Sequence, residues 1–590
     1  MQATNQDELF QQLDQYATLF SSKVQEILSA SLANQPADNQ FDISKLQALM
    51  DSGVEVDSQK LLQSQMQFMQ KQNELWQQAS KAMFGQSSHE VTHEAKQDKR
   101  FSHDDWQQNP VFNYIKQAYL LNSELMENTL GAMQFKDKKA AEKVRFYTRQ
   151  YINSVAPTNY LFSNPQVCEE ILASEGKNLI KGMQRFMDDL EHSPLEAFKI
   201  TQTDTSAFTL GEDLATTPGK VVYENKLFQL IHYTPLTKQV QEVPVLFTPP
   251  FINKYYILDL DEKKSMVRGL LKEGYSVFMI SWINPDASLA EEDFVSYMKN
   301  GPVQALDVVC EITGQDKVNA VGFCVGGTLL SMATAWLRAQ GDERIASLTL
   351  LTTLLDFSEP GEVGNYLSED MIPVMEQTAD MKGVYDGRIL GLSFSLLREN
   401  NLFWSFFINN YLRGKDPAAF DILYWNSDAT NIPAACFKQY LHLSYLENKL
   451  MQPDEIVIDN IPIDIGNIDV PTYFLATIAD HIVLWQSAFK GPALLSGDSK
   501  FTLAGSGHLA GVINPPEGGK YPHWQNDKLA DTPEEWFTNA TEKPGSWWPD
   551  WHQWLRDYSG KKIAAPTPGK HESYPIIEDA PGRYVKKRLE

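Results

Sequence analysis

The stretch KVNAVGFCVGGTLL, Lys317–Leu330, decides how the chain reads. Val318, Ala320 and Val321 are short and strand-prone. Thr328, Leu329, Leu330, Met332, Ala333, Ala335, Trp336 and Leu337 read as helix. Cys324 therefore stands where a strand turns sharply into a helix, between Gly322 and Gly326-Gly327. This is the form of a nucleophile elbow with Cys where Ser is more usual. The turn strains the nucleophile's backbone, and side chains two residues to either side would collide with it, which accounts for the glycines. At the helix start the Val325 amide can face a developing oxyanion, in the favourable field of the helix dipole. A buried structural cysteine in a glycine turn would leave the same local trace. A phosphate loop fits poorly, because no Lys-Ser/Thr follows and the GxGxxG spacing is absent.

The surroundings of the turn supply a fold. KVVYENKLFQLIHYT alternates like a hairpin, and VPVLFTPPF, YSVFMISWIN, IASLTLLTTLLDF and VPTYFLATIADH read as apolar strands. Helical stretches such as DEKKSMVRGLLKEG and PVQALDVVCEITG lie between them. Alternating strands and helices predict a mostly parallel sheet covered on both faces. The section from Ser358 to about Ile468 interrupts the alternation with aromatics and helix formers, and it reads as an inserted cap at about 358–468. Before Gly219 the chain reads as mainly helical, giving an N-terminal domain over 1–200 and a catalytic domain over 201–590. Within the first hundred residues two amphipathic stripes stand out. One carries Leu13, Tyr16, Phe20, Val24, Ile27 and Leu28; the other has Leu62, Met69, Trp76 and Met83 seven apart. Both are expected to pack on the body of the protein, the alternative being a helix for a partner or an apolar surface. FGQSSHEVTHEAKQDKR, Phe84–Arg100, reads as a polar linker.

The turn's partners raise Cys324 from a local pattern to a site. α/β-Hydrolases place their triad in the chain order nucleophile, acid, base. Asp480 follows the apolar strand TYFLATIAD, where the acid is expected, and His508 sits in the glycine-rich loop of FTLAGSGHLAGV, where the base is expected. His442, His523 and His552 lie in helical or aromatic segments that fit less well, and His481 adjoins Asp480 as an orienting residue or a ligand contact. The second oxyanion donor should come from the loop after VPVLFTPPF, which makes the amide of Phe251 or Ile252 the candidate. The fold class expected is thus α/β, an α/β-hydrolase with an inserted cap behind a helical N-terminal domain.

Composition narrows the chemistry. At 590 residues more than one domain is expected, and 43% hydrophobic residues is a globular value. A net charge of −25 argues against general nucleic-acid binding and against simple adhesion to an acidic membrane. It also means that an anionic ligand needs a local basic patch. Cys168, Cys310, Cys324 and Cys436 form no CxxC pair, so neither a zinc site nor a disulfide scaffold is expected, and no metal is called for. The N-terminus lacks the pattern of a signal peptide and no stretch reads as a membrane span, so a cytoplasmic protein is the expectation. A thiol nucleophile forms a thioester. If the substrate is itself a thioester, the exchange is nearly isoenergetic and the acyl group stays activated for the next acceptor. An acyltransferase benefits from this more than a protease or esterase does.

Taken together, GFCVGG, PPFINKYYILDL, VFMISWINP, TTLLDFSEPGEVG, LLRENNLFWSFFINNYLRG, FDILYWNSDATNIP, IADHIVLWQS, GSGHLAGVINPP and GSWWPDW resemble the polyhydroxyalkanoate synthases. RFSHDDWQQNPVFNYIKQAYLL and RFYTRQYINSVAPTNYLFSNP extend the likeness to roughly residues 100 to 590. The single long chain is similar to the class I enzymes. That resemblance implies an acyltransferase that polymerises short-chain (R)-3-hydroxyacyl-CoA, typically (R)-3-hydroxybutyryl-CoA, into polyester through a covalent Cys thioester. CoA leaves as product and no cofactor is implied. The family triad falls on Cys324, Asp480 and His508. The family's dimeric state and cytoplasmic granule association imply a homodimer, a granule surface, a growing polyester chain and phasins as partners. The resemblance also offers Arg398 for a CoA phosphate and His481 for the pantetheine arm. A cysteine hydrolase with the same elbow and a non-enzymatic granule scaffold are the competing readings.

Overall fold

The computed structural model describes residues 54–194, 197–367 and 371–589. The stripe Leu13–Leu28 lies outside the described residues. The chain divides into two compact units, one comprising Met1–Gln202 with Arg398–Pro417, the other Thr203–Leu397 with Ala418–Glu590.

The N-terminal unit is built from α1 (Ser58–Met83), α2 (Pro110–Gly131), α3 (Lys138–Ser154), α4 (Pro165–Ser174) and α5 (Lys177–Glu191). Asp57, Asn109, Asp137 and Asn164 each cap the helix that follows them by accepting backbone N–H groups. The seven-residue stripe does form a helix, but among the described residues its heptad positions stay largely exposed, with Trp76 tilted against Tyr114 at 5.5 Å. Leu62, Met69, Trp76 and Met83 are 58–63% exposed, while Leu75 and Ala79 are buried. Phe84–Arg100 is also more than a linker. The buried Lys116 ammonium donates to Glu90 at 2.8 Å and Glu94 at 3.1 Å, and Gln117 accepts the Val91 amide at 2.6 Å, so α2 holds this segment down.

Arg398–Pro417 falls within the stretch read from sequence as cap, yet it belongs to the N-terminal unit. Tyr411 packs edge-on to Phe186 at 5.2 Å, Asn178 donates to the Leu412 carbonyl at 2.8 Å, and Asn153 donates to the buried Glu399. Gly182 admits this segment: a Cβ there would lie 1.8 Å from the Tyr411 carbonyl oxygen.

The second unit is organised by one 11-stranded sheet. Its strands are β1 (Gly219–Glu224), β2 (Phe228–Tyr233), β3 (Val245–Thr248), β4 (Val277–Trp282), β5 (Val318–Phe323), β6 (Ile345–Leu351), β7 (Thr472–Thr477), β8 (Ser499–Ala504), β9 (His523–Gln525), β10 (Thr541–Lys543) and β11 (Glu578–Asp579). Their spatial order is β10-β9-β8-β7-β6-β5-β3-β4-β2-β1-β11. The run from β8 to β4 is parallel, and the flanking strands are antiparallel. Parallel strands buried on both faces need apolar residues at nearly every position, which is why VFMISW and VNAVGF are fully buried. Alternate residues enter opposite core layers: Phe278 and Ile280 on one face, Val277 and Met279 on the other. The helices include α6 (Met266–Lys272), α7 (Gln304–Thr313) and α8 (Val325–Ala339), then α9 (Met371–Lys382), α10 (Gly387–Leu397) and α11 (Ala434–Leu441) in the long insertion between β6 and β7, and α12 (Trp548–Arg556). α7 and α8 cover one face and α6 and α12 the other. Among the described residues no helix is long and apolar enough to cross a membrane.

β5 passes into α8 through Cys324, whose φ of 52° and ψ of −128° lie outside the regions ordinary residues adopt. The glycines serve a purpose different from the one expected. A Cβ on Gly322 would lie 2.4 Å from the Gly327 Cα, and one on Gly326 would lie 2.3 Å from the Thr248 carbonyl oxygen. They let the first turn of α8 press against β5 and the end of β3, rather than clearing room beside the Cys324 side chain. Gly326→Ala should therefore lower stability by about 1–3 kcal/mol, the usual cost of overpacking. Denaturant melts would measure this, and unchanged stability would contradict the close approach.

Candidate active site

Three loops at the carboxyl ends of parallel strands converge on Cys324. The elbow follows β5, the Asp480 loop follows β7, and the His508 loop follows β8. An amide bridge from Ala479 to the Ser506 carbonyl, 2.9 Å, ties the last two together. Asp480 is buried and its carboxylate is fully engaged. Oδ1 accepts the amides of Ile482 and Val483, each at 2.9 Å, and Oδ2 accepts His508 Nδ1–H at 2.7 Å. With Nδ1 committed, Nε2 is the nitrogen left for the Cys324 thiol, with which His508 interacts. Phe323 stacks on the imidazole at 5.6 Å and holds the ring plane.

The electrostatics favour a charged imidazole. Burial alone would lower the His508 pKa, but the Asp480 carboxylate and the neighbouring Cys324 outweigh it and push the group up to about 10. At neutral pH the ring can thus hold a proton and deliver it to a leaving group.

Cys324 opens onto a cavity of about 80 Å³. The walls are mostly apolar: Leu354, Phe357, Met375 of α9, Leu390 and Phe394 of α10, and Phe437 of α11. Tyr440 and Tyr445 line the same cavity and add hydroxyl groups to it. Ile252 and Val325 both line the cavity. Among the described residues neither amide donates a hydrogen bond within the protein, so both are open to an oxyanion.

The structure thus brings together Cys324, Asp480, His508, Val325 and Ile252. His481 is half-buried beside Asp480, while Ile482 and Val483 form the cavity wall there. Arg398 is exposed and opens the segment that belongs to the N-terminal unit. His442, His523 and His552 bond elsewhere or are buried in other elements: His442 meets Glu376 and Glu447, His523 lies on β9 and His552 on α12. Sequence reasoning missed Tyr440 and Tyr445. Their i, i+5 spacing matches no regular helix face, and it results from a widened helical turn over His442–Leu446.

Strand order, elbow and the His–Asp pair define an α/β-hydrolase-fold protein. An alpha/beta hydrolase fold model matches residues 244–515, and a model described as poly-beta-hydroxybutyrate polymerase (PhaC) N-terminus matches residues 97–270. The chain is 41% identical to the poly(3-hydroxyalkanoate) polymerase subunit PhaC of Cupriavidus necator, over 91% of this chain and 90% of that one. It is 41% identical to the poly(3-hydroxyalkanoate) polymerase of Methylorubrum extorquens, over 90% and 88%, and 39% identical to the PhaC subunit of Rhizobium meliloti, over 90% and 86%. The chain belongs to the poly(3-hydroxyalkanoate) polymerase family, a family of acyltransferases.

The His508 shift has a stability consequence with a definite sign. Its folded pKa lies above the unfolded value, so the Asp480–His508 pair stabilises fully below about pH 6.5 and loses that contribution as pH rises towards about 10. Asp480→Asn should therefore lower Tm most near pH 6, with the gap from the unmutated protein narrowing by pH 10. A gap independent of pH would contradict the charged pair.

Proposed function

We propose that the protein polymerises (R)-3-hydroxyacyl-CoA, with (R)-3-hydroxybutyryl-CoA as preferred substrate, through a thioester on Cys324. The observation that carries this reading is a thiol at the wall of an apolar cavity, with a base already oriented and charged by Asp480. The Cys324 thiolate attacks the substrate thioester carbonyl. The developing oxyanion is held by the Val325 and Ile252 amides. The C–S bond to CoA breaks, and the CoA thiolate leaves with the proton from His508. The now neutral His508 takes the proton from the 3-hydroxyl of a second unit. That oxygen attacks the acyl-Cys324 carbonyl, forming an ester bond and releasing the Cys324 thiolate. Asp480 fixes the tautomer throughout and stabilises the imidazolium. Every role is filled by a protein group, so no cofactor is called for.

The mostly apolar lining of the cavity suits an aliphatic acyl unit. The apolar wall limits water, which would otherwise hydrolyse the acyl-enzyme. Arg398 is the candidate for a CoA phosphate, a role a guanidinium suits, and His481 is the candidate for the pantetheine arm. A homodimer on cytoplasmic polyester granules, with phasins as possible neighbours there, completes the reading.

The test is CoA release from (R)-3-hydroxybutyryl-CoA, followed with a thiol reagent, together with sizing of the extracted product. High-mass polyester is expected. Free 3-hydroxybutyrate alone would make the protein a thioesterase. Cys324→Ala should reduce turnover about 10⁴-fold or more while leaving the fold intact, and a variant with normal turnover would sink the mechanism.

A further inference from the structure

A second polar cluster sits behind the oxyanion loop. The loop runs from Pro249 to Tyr256, and Lys254 lies two residues past Ile252. Lys254 is buried, yet its ammonium is saturated. It donates to the carbonyls of Val585 at 2.6 Å and Lys587 at 2.7 Å, and pairs with the buried Asp428 at 3.1 Å. Its own carbonyl accepts the indole N–H of buried Trp425 at 2.6 Å. Asp428 also accepts the Tyr256 hydroxyl at 3.0 Å. At the other end of the loop, the Pro249 carbonyl accepts Trp282 Nε1–H at 2.9 Å.

The two carbonyls that receive Lys254 belong to a strap, Tyr584–Arg588, which is anchored independently. The Tyr584 hydroxyl donates to the Asn225 carbonyl at 2.8 Å, Lys587 pairs with Asp286 at 2.7 Å, and Arg588 donates to the Tyr424 hydroxyl at 2.9 Å. Three segments distant in sequence thus meet on one ammonium group: the oxyanion loop, the insertion around Trp425–Asp428 and the strap.

A buried lysine is costly to desolvate, and burial does lower the Lys254 pKa, against the opposing pull of Asp428. A packed apolar residue would hold the fold at less cost, so the retained charge calls for a reason. Its directional bonds fix a backbone, and that backbone carries the Ile252 amide. An oxyanion donor must sit within a fraction of an ångström of its place to act.

We infer that Lys254 is a positioning residue for the reaction: held by Asp428 and the Val585–Lys587 strap, it sets the Ile252 amide as the second oxyanion donor. This rests on the reading of Cys324 and Ile252 given above. Lys254→Met and the charge-neutral double variant Lys254→Met/Asp428→Asn remove the ammonium. Trp425→Phe removes only the indole donor to the Lys254 carbonyl, so the inference stays testable if the lysine variants do not fold. Each would be assayed for CoA release from (R)-3-hydroxybutyryl-CoA and for the rate at which iodoacetamide alkylates Cys324, a reaction that needs no oxyanion hole.

The expected result is a kcat lower by about 10- to 100-fold for the lysine variants and by several-fold for Trp425→Phe, with KM within about threefold and alkylation unchanged. Folded variants with normal kcat would overturn the inference. So would alkylation falling in step with kcat, since that is general damage to the site. Absence of CoA release by the unmutated protein would instead overturn the functional reading, and the positioning role with it.

Discussion

One close approach governs the catalytic unit: the first turn of α8 lies against β5 and the end of β3 with no Cβ between them. Gly322, Gly326 and Gly327 are the residues that permit it, and the positive φ of Cys324 is its consequence. Because the helix starts so close to the sheet, Cys324 and Val325 both come to line the cavity. The Thr353 hydroxyl, bonded to the Leu351 carbonyl at 3.0 Å and the Cys324 carbonyl at 3.3 Å, braces the turn from just beyond β6. The loops carrying Asp480 and His508 then need only follow adjacent parallel strands to arrive at the same point.

Polar groups are spent sparingly around that point. The cavity is walled mainly by aliphatic and aromatic side chains, while the hydrogen-bonding capacity of the triad is used inward, on itself. Asp480 illustrates the principle: two backbone amides and one imidazole satisfy a buried carboxylate that would otherwise be expensive to keep. The result is a site where charge is stable before substrate enters, so little reorganisation is needed during reaction.

The sheet and the candidate site were legible in the sequence for separate reasons. Buried parallel strands must be apolar at nearly every position, so VFMISW and VNAVGF announced themselves. The three candidate residues could be picked out because they follow strand ends in a fixed order. What escaped was long-range or irregular. Tyr440 and Tyr445 reach the cavity through a distorted turn that breaks helical periodicity. Lys254 looked like an ordinary loop lysine, since nothing local signals that strap carbonyls more than three hundred residues later will cover it. The heptad stripe of α1 predicted the helix correctly, but periodicity alone could not tell which face is covered: Leu75 is buried while Trp76 beside it is exposed. The return of Arg398–Pro417 to the N-terminal unit left no local trace either, because its aromatics suited a cap equally well.

That return bears on synthesis. The N-terminal unit is encoded almost entirely before residue 203, yet its aromatic centre around Phe186 is closed by Tyr411. At the ribosome's pace the missing segment emerges roughly 10–40 s after Gln202. For that interval the nascent helices hold an open apolar seam while the sheet they precede is still being made. A chain that completes its first unit with its middle cannot finish that unit until much of the second has also been made.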